Sequence, residues 1–278
     1  MKIVKYQKCG KNTYKIYLED GRVLLLYDNI ILKYNLLLTK KITKTVEESI
    51  LMDNQKEEAY YKALLFLSKK YHSIQETQRY LATYSLNIQT EIIERLKKEG
   101  YLDDYKYASA FINDKINLSL DGFNKIKNAL IEKGVAENIV LSSLEAIPEK
   151  TWYERSQKAI NKKASNYEKY SSKVKKSKFY SYLINLGYTS NQINSCINRF
   201  DFSDDTQALE KDYLKVKKAL VAKYSGPKFN YMLKSKLYAK GYNMESINKL
   251  IEQDNWDKSF NGNNKLICLK LEDIKTKF

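Results

Sequence analysis

At 278 residues, with 43% hydrophobic and 13% aromatic residues, the chain has enough apolar surface for one large or several small folded domains. Only two prolines and nine glycines interrupt it, which argues against a sandwich or barrel with frequent turns and favours long helices. The formal net charge of +16 indicates a polyanionic partner, an acidic protein surface, or a lysine-rich codon usage, and composition leaves these three open.

The cysteines and the apolar segments constrain the compartment. Cys9, Cys196 and Cys268 are odd in number and far apart, so the sequence predicts neither a disulfide framework nor a zinc site. No N-terminal apolar run resembles a signal peptide, and the apolar clusters between Val23 and Leu38 are broken by Asp, Lys and Asn. We expect a cytoplasmic, monomeric protein with no membrane span.

The first 54 residues predict a small sheet followed by short helices. The runs KIVKY, TYKIYL and RVLLLY have strand composition, and turn residues separate them at 10–12 and 19–21. Asp-Gly between two such runs is a strong hairpin signal, so we expect a three-stranded antiparallel meander. Asp28, and then Thr43 or Thr45, are predicted to cap the helices that follow.

From about residue 55 the pattern becomes helical, and a self-similar segment returns about every fifty residues. Three copies begin LIEKG, LINLG and LYAKG, each with a leucine four residues before the glycine. A degenerate copy starts at Leu81 and carries Ser85 in the glycine position. The pattern predicts a helix closed by a left-handed glycine, then a return helix capped by Asn87, Thr189 or Asn243.

A longer amphipathic run precedes each such pair, so each unit is predicted to hold three helices. The fold class is therefore mainly α: tandem three-helix repeats forming an elongated curved body, with a small N-terminal antiparallel β meander. The predicted divisions are the meander with short helices at 1–54, four three-helix modules at 55–100, 101–148, 149–200 and 201–254, and a C-terminal tail at 255–278.

Two adjacent carboxylates, Asp103 and Asp104, follow Gly100 at the start of the second module. We interpret them as capping and first-turn acids of a helix; a metal or acid–base role is the weaker alternative, because no His, Cys or further acid lies near in sequence. His72 is expected at the surface near a helix C-terminus. No nucleophile elbow or glycine-rich phosphate loop is present, so we expect no catalytic residue, no metal, no cofactor and no enzyme activity.

The positive charge is concentrated in one segment. Residues 151–200 contain ten Lys or Arg and two acids, whereas 101–150 contain six and eight. Lysines interleaved with tyrosines can contact phosphates and stack on bases. A solvated lysine face over half-buried tyrosines explains the same pattern equally well. The candidate partner- or nucleic-acid-binding residues are Lys158, Lys162, Lys163, Lys173, Lys175, Lys176, Lys178 and Tyr180.

Over roughly residues 55–252 the chain resembles the RecX family of regulatory proteins. The resemblance is carried by GYLDD with Tyr105 behind it, by the Gly-x-x-Lys-Ile run leading to LIEKGV, and by the recurring Leu-x-x-x-Gly segments. The N-terminal strands are similar to the extension of longer members. The residues that match the family's structural signature are Gly100, Leu102, Asp103, Asp104, Ala108, Phe111, Gly122, Lys133, Gly134, Gly187 and Gly241.

The resemblance implies a non-enzymatic modulator that lies in the groove of the RecA filament on single-stranded DNA. Such a protein restrains recombination, ATP hydrolysis and co-protease activity. The first module departs from the family pattern because it lacks its glycine, and lysines replace most arginines of the family's basic positions; a lysine is a point charge without the bidentate fork of arginine. The alternatives are a stand-alone basic nucleic-acid-binding repeat protein and a helical scaffold for an unrelated assembly.

Overall fold

The computed structural model of the protein describes residues 2–39, 41–202 and 205–254. The chain divides into two compact units. The first contains the described residues up to Leu118 together with Ile126–Ala146, and the second contains Ser119–Lys125 together with the described residues from Ile147 onward. The predicted tail at 255–278 lies outside the described residues.

The predicted N-terminal meander is confirmed. Its strands are β1 (Ile3–Lys8), β2 (Thr13–Leu18) and β3 (Val23–Tyr27), paired antiparallel in the order β1-β2-β3. Gly21 has a φ of +85° in the turn between β2 and β3, which explains why glycine follows Asp20 there. One face of the sheet buries Ile16 and Leu26, and these pack with Ile50 from a later helix into one core.

The rest of the described chain is helical, as the sequence predicts. The helices are α1 (Asp28–Lys33), α2 (Lys44–Leu67), α3 (Ile74–Tyr80), α4 (Leu86–Lys98), α5 (Asp104–Leu118), α6 (Phe123–Glu132), α7 (Glu137–Glu145), α8 (Glu149–Tyr167), α9 (Ser172–Asn185), α10 (Ser190–Arg199), α11 (Thr206–Val221), α12 (Gly226–Ala239) and α13 at 244–254.

The division expected between residues 54 and 55 lies inside α2. Of the two predicted caps, Thr43 is the one that caps this helix, by accepting a hydrogen bond from the amide of Val46. The helix runs on because it serves two cores: Ile50 packs with the sheet, whereas Ala59 and Ala63 pack with α3 and α4. The other proposed module boundaries stay predictions.

The degenerate first copy of the repeat differs from expectation. Ser85 is the N-cap residue of α4 and does not end a helix in a left-handed conformation. Asn87, the expected cap, lies inside α4. The reason is that α3 ends earlier, at Tyr80, and a turn at 81–84 replaces the glycine cap. Thr189 does cap α10, with a full capping box, and the Asn243 side chain accepts from the amide of Glu245 at the start of α13.

Four glycines of the described chain end helices in the left-handed conformation, with φ between +79° and +90°. At each of them the amide of the next residue donates to the carbonyl of the leucine four residues before the glycine, which is the Schellman pattern. All four leucines are fully buried. The leucine–glycine pairs are Leu96 and Gly100, Leu130 and Gly134, Leu183 and Gly187, and Leu237 and Gly241.

Three of these caps pack against the N-terminus of an earlier helix. The hydroxyl of Ser73 donates to the carbonyl of Lys133 at 2.5 Å, and the hydroxyl of Ser171 donates to the carbonyl of Lys240 at 2.7 Å. At the third, the amide of Gly122 donates to the carbonyl of Leu186 at 2.6 Å. Each contact satisfies a carbonyl at a helix C-terminus and places it near the positive end of another helix.

Gly187 is constrained by its conformation and by a close approach, whereas Gly100 is constrained by conformation alone. A Cβ at Gly187 would lie 2.6 Å from the backbone nitrogen of Lys125, but a Cβ at Gly100 would meet nothing within 4 Å. We expect Gly100→Ala to lower the free energy of unfolding by about 1 kcal/mol and Gly187→Ala by about 3 kcal/mol. Urea unfolding monitored by circular dichroism measures both; equal losses would refute the close approach.

Candidate nucleic-acid interface

The two adjacent aspartates hold helix ends. Asp103 Oδ1 accepts from the amides of Tyr105 at 2.9 Å and Lys106 at 3.2 Å, and so caps α5 as predicted. Asp104 is buried, and its Oδ1 accepts at 2.9 Å from the amide of Ile74, the first residue of α3. Burial raises the pKa of Asp104 above its usual value, although the bond from Ile74 opposes this shift.

A second aspartate has the role of Asp104 in the second unit. Asp205 Oδ2 accepts from both the amide and the hydroxyl of Ser172, the first residue of α9, at 2.8 and 2.9 Å. In the sequence Asp205 lacks the GYLDD context, so pattern reasoning gave no signal for it. Asp103 therefore caps its own helix, whereas Asp104 and Asp205 each bind the N-terminus of an earlier helix.

The remaining residues of the family signature also have structural positions. Leu102 and Ala108 are buried, and Phe111 is half-buried. Lys133 pairs with Glu76, its Nζ lying 2.8 Å from Oε1, while its own carbonyl accepts from Ser73. The amide of Gly122 donates to the carbonyl of Leu186, and the amide of Asn124 donates to the carbonyl of Gly187.

His72 is buried, so the expectation of a surface histidine is wrong. Its ring stacks on Phe66 with centroids 3.7 Å apart, and Phe66 stacks in turn on Tyr80. Nδ1 of His72 lies 3.4 Å from Glu76 Oε2. Burial lowers the pKa of His72, and Glu76 opposes this shift. Among the described residues no group of three or more His, Cys, Asp or Glu side chains could hold a metal ion.

The candidate lysines lie on α8 and α9, which pack together in the second unit. Lys158, Lys162, Lys173 and Lys176 are exposed, and among the described residues no carboxylate lies within 4.0 Å of their ammonium groups. The other members of the set are partly buried, namely Lys163, Lys175, Lys178 and Tyr180. The exposed charge is therefore available to an anionic partner.

Aromatic rings lie beneath several of these lysines. Lys178 Nζ lies 4.5 Å from the centroid of Tyr170, and Lys176 Nζ lies 5.5 Å from that of Phe202. Lys163 is similarly placed over Tyr182, at 5.7 Å. Such cation–π contacts hold the ammonium groups over the protein surface and limit their conformational freedom.

Only part of the candidate set lines a concave site. Lys173 and Lys176 line a cleft of about 570 Å³ near the N-terminus of α9, and Lys173 and Lys178 line an adjoining one of about 510 Å³. Tyr238 lines both and is 62% exposed. We call these two spaces the cationic cleft. Lys158, Lys162, Lys163, Lys175 and Tyr180 do not line it.

Sequence reasoning missed the residues that α12 and α13 contribute. Tyr238, Asn243 and Ser246 line the cleft beside Lys173, although they lie about 65 to 75 residues away in the chain. The contact of the Gly241 cap with Ser171 brings them there, since the Ser171 hydroxyl bonds to the carbonyl before that glycine. The one acid in the lining, Asp205, already accepts two hydrogen bonds from Ser172.

Fold and site together define a mainly helical repeat protein with a cationic, aromatic-lined cleft. No helix among the described residues is long and apolar enough to cross a membrane. No family model matches the chain. It is 31% identical over 262 residues to a regulatory protein RecX of Oceanobacillus iheyensis, an alignment that covers 89% of this chain and 95% of that protein. Regulatory protein RecX of Bacillus mycoides is 27% identical over 263 residues, covering 90% and 96%.

Two solved structures have a similar fold. A crystal structure of a regulatory protein RecX superposes with a TM-score of 0.62 at 21% identity, covering 72% of this chain and 99% of that one. RecX from Lactobacillus salivarius gives a TM-score of 0.50 at 26% identity, covering 51% and 94%. The chain belongs to the RecX family of regulatory proteins, which confirms the resemblance drawn from the repeat and the GYLDD motif.

The buried histidine predicts a pH dependence of stability. The pKa of His72 is lower in the folded state than in the unfolded state. Its contribution to the free energy of unfolding is therefore present above the unfolded-state pKa, near 6.5, and is lost as the pH falls below that value. We expect the unfolding free energy of the wild type to drop more than that of His72→Phe between about pH 7.5 and 5.5. Phenylalanine preserves the stack on Phe66. Asp104 is present in both proteins, and its raised pKa changes stability with pH in the opposite direction. Parallel pH profiles of the wild type and His72→Phe would therefore contradict the assignment to His72.

Proposed function

We propose that this protein regulates the RecA recombinase by binding the RecA filament on single-stranded DNA, in the inhibitory direction. Membership of the RecX family, with 95% of a regulatory relative covered, is the observation that carries the proposal. The net charge of +16 supports it, because a nucleoprotein filament is polyanionic. Restraint of recombination, ATP hydrolysis and co-protease activity would follow from occupancy of the filament groove, and DNA repair would be the process regulated.

The proposed mechanism is steric and electrostatic. The cationic cleft would contact strand phosphates or acidic groups of the filament, and Tyr238 would pack against a base or a protein side chain. Lysines act as point charges, so they suit a partner with many anionic positions better than a single bidentate carboxylate. The segment at 101–150, with more acids than bases, would meet basic parts of a partner of mixed charge.

A second candidate function is binding of single-stranded nucleic acid without a dedicated protein partner. The combination of Lys173, Lys176 and the exposed Tyr238 in one concave site favours it. The two candidates are separable, because only the first requires RecA for an effect.

The first candidate predicts inhibition of strand exchange. We expect the wild type to slow RecA-dependent strand exchange and DNA-dependent ATP hydrolysis at equal or substoichiometric ratios to RecA of the same organism. The double change Lys173→Gln and Lys176→Gln should weaken this inhibition, because it removes two charges from the cleft. Lys158→Gln with Lys162→Gln removes the same charge outside the cleft and serves as the matched control. Strand exchange unaffected by the wild type would refute the proposal.

The cleft also predicts a change in salt dependence. For single strands the slope of log K against log salt changes by about 0.7 for each phosphate that the protein no longer neutralises. We therefore expect Lys173→Gln with Lys176→Gln to flatten the slope of oligonucleotide binding by about 1.4. The control pair on α8 should leave it unchanged. Equal flattening by both pairs would show that the strand contacts α8 as much as the cleft, and would contradict a binding site confined to the cleft.

A further inference from the structure

A second concave site lies in the first unit, far in sequence from the candidate lysines. It is a cleft of about 380 Å³ between the end of α2 and the loop that enters α5. We call it the tyrosine cleft and define it by Leu64, Leu67, Lys70, Tyr71, Tyr101 and Lys106. Its volume lies in the range of small-molecule sites.

The tyrosines of this cleft are not explained by packing. Tyr71 is 67% exposed and Tyr101 is 58% exposed, although both line a cavity with apolar walls. Tyr101 follows Gly100 and occupies the position that Val135 fills in the next Schellman cap, where the side chain is buried. Large aromatic side chains at an apolar cleft give a flat surface on which another ring can stack.

The charge at the cleft narrows the class of ligand. Lys70 and Lys106 line it, and Asp103 is the only acid among its lining residues. Asp103 is committed to the amides that begin α5, and Lys106 Nζ lies 4.0 Å from it. A flat uncharged ring that carries phosphate on either side matches apolar walls, exposed tyrosines and two lysines. A free anion would not use the apolar walls, and an aliphatic side chain would not use the lysines.

A smaller cleft of about 280 Å³ adjoins the first, and Lys70 and Tyr71 line both. The aromatic residues Tyr107 and Phe111 line the smaller cleft, together with Lys133, Glu76 and Asp114. Glu76 is neutralised by Lys133, whose Nζ is 2.8 Å away. Tyr71 thus lines two neighbouring clefts, an arrangement that suits consecutive bases of one strand.

We propose that the tyrosine cleft binds a base of single-stranded nucleic acid. Tyr71 and Tyr101 stack on the base, and Lys70 and Lys106 contact the flanking phosphates. This site is separate from the cationic cleft in sequence and in residues, and it does not depend on RecA being the protein partner.

The test is equilibrium binding of a fluorescein-labelled oligothymidylate by fluorescence anisotropy at several salt concentrations. Because stacking carries no net charge, Tyr71→Leu with Tyr101→Leu should raise Kd roughly five- to fiftyfold and leave the salt slope unchanged. Lys70→Gln with Lys106→Gln should instead flatten the slope by about 1.4. Tyr71→Phe with Tyr101→Phe preserves the stacking rings and should bind within about twofold of the wild type.

Tyr231→Leu is the matched control, since Tyr231 is 71% exposed on α12 and lines neither site. It should change Kd by less than about twofold, and thermal unfolding of all variants should match the wild type. Wild-type affinity in the double leucine variant would overturn the proposal, as would no measurable binding by the wild type. Unchanged oligonucleotide binding together with abolished inhibition of strand exchange would show that the cleft takes a protein side chain. Regulation of RecA is measured separately, by strand exchange, so the proposal for the tyrosine cleft and the proposal of RecA regulation can be refuted independently.

Discussion

The described structure depends on one repeated contact: the C-terminus of a glycine-capped helix meets the N-terminus of an earlier helix. A serine hydroxyl or a glycine amide donates to the carbonyl beside the left-handed glycine at Lys133, Leu186 and Lys240. The contact is close enough that a Cβ at the glycine would collide with the neighbouring helix. It satisfies polar groups that burial would otherwise leave unpaired, and it joins each of these glycine-capped helices to an earlier helix.

The same contact creates the candidate binding surface. The cap at Gly241 lies against Ser171, and Tyr238 thereby lines the same cleft as Lys173. Two aspartates also join a helix to an earlier one. Asp104 accepts from the amide of Ile74, and Asp205 accepts from the amide of Ser172, each the first residue of an earlier helix. The adjacent Asp103 and Asp104 thus fix helix ends, while Lys173 and Lys176 remain exposed for a partner.

Local signals predicted the elements well. The meander, a cap at Thr43 or Thr45, a cap at Thr189 and the left-handed glycines were all readable, because each depends on neighbours within a few residues. Prediction failed at Ser85 and Asn87, where a local turn replaces the expected glycine cap, and also where an element packs against more than its sequence neighbours. The helix α2 continues through the expected boundary because it packs on two cores, and His72 is buried because Phe66 and Tyr80 form a stack with it.

The sequence by itself determined the family, the helical repeat, the positive charge and the segment in which acids balance it least, since these follow from periodicity, motif and composition. Only the tertiary structure decided which lysines share a cleft, that Tyr238 joins them, and that Tyr71 and Tyr101 line a second one. The physical reason is distance along the chain. A binding site is made by side chains that packing brings together, and no pattern within one helix records which distant helix will supply the opposite wall.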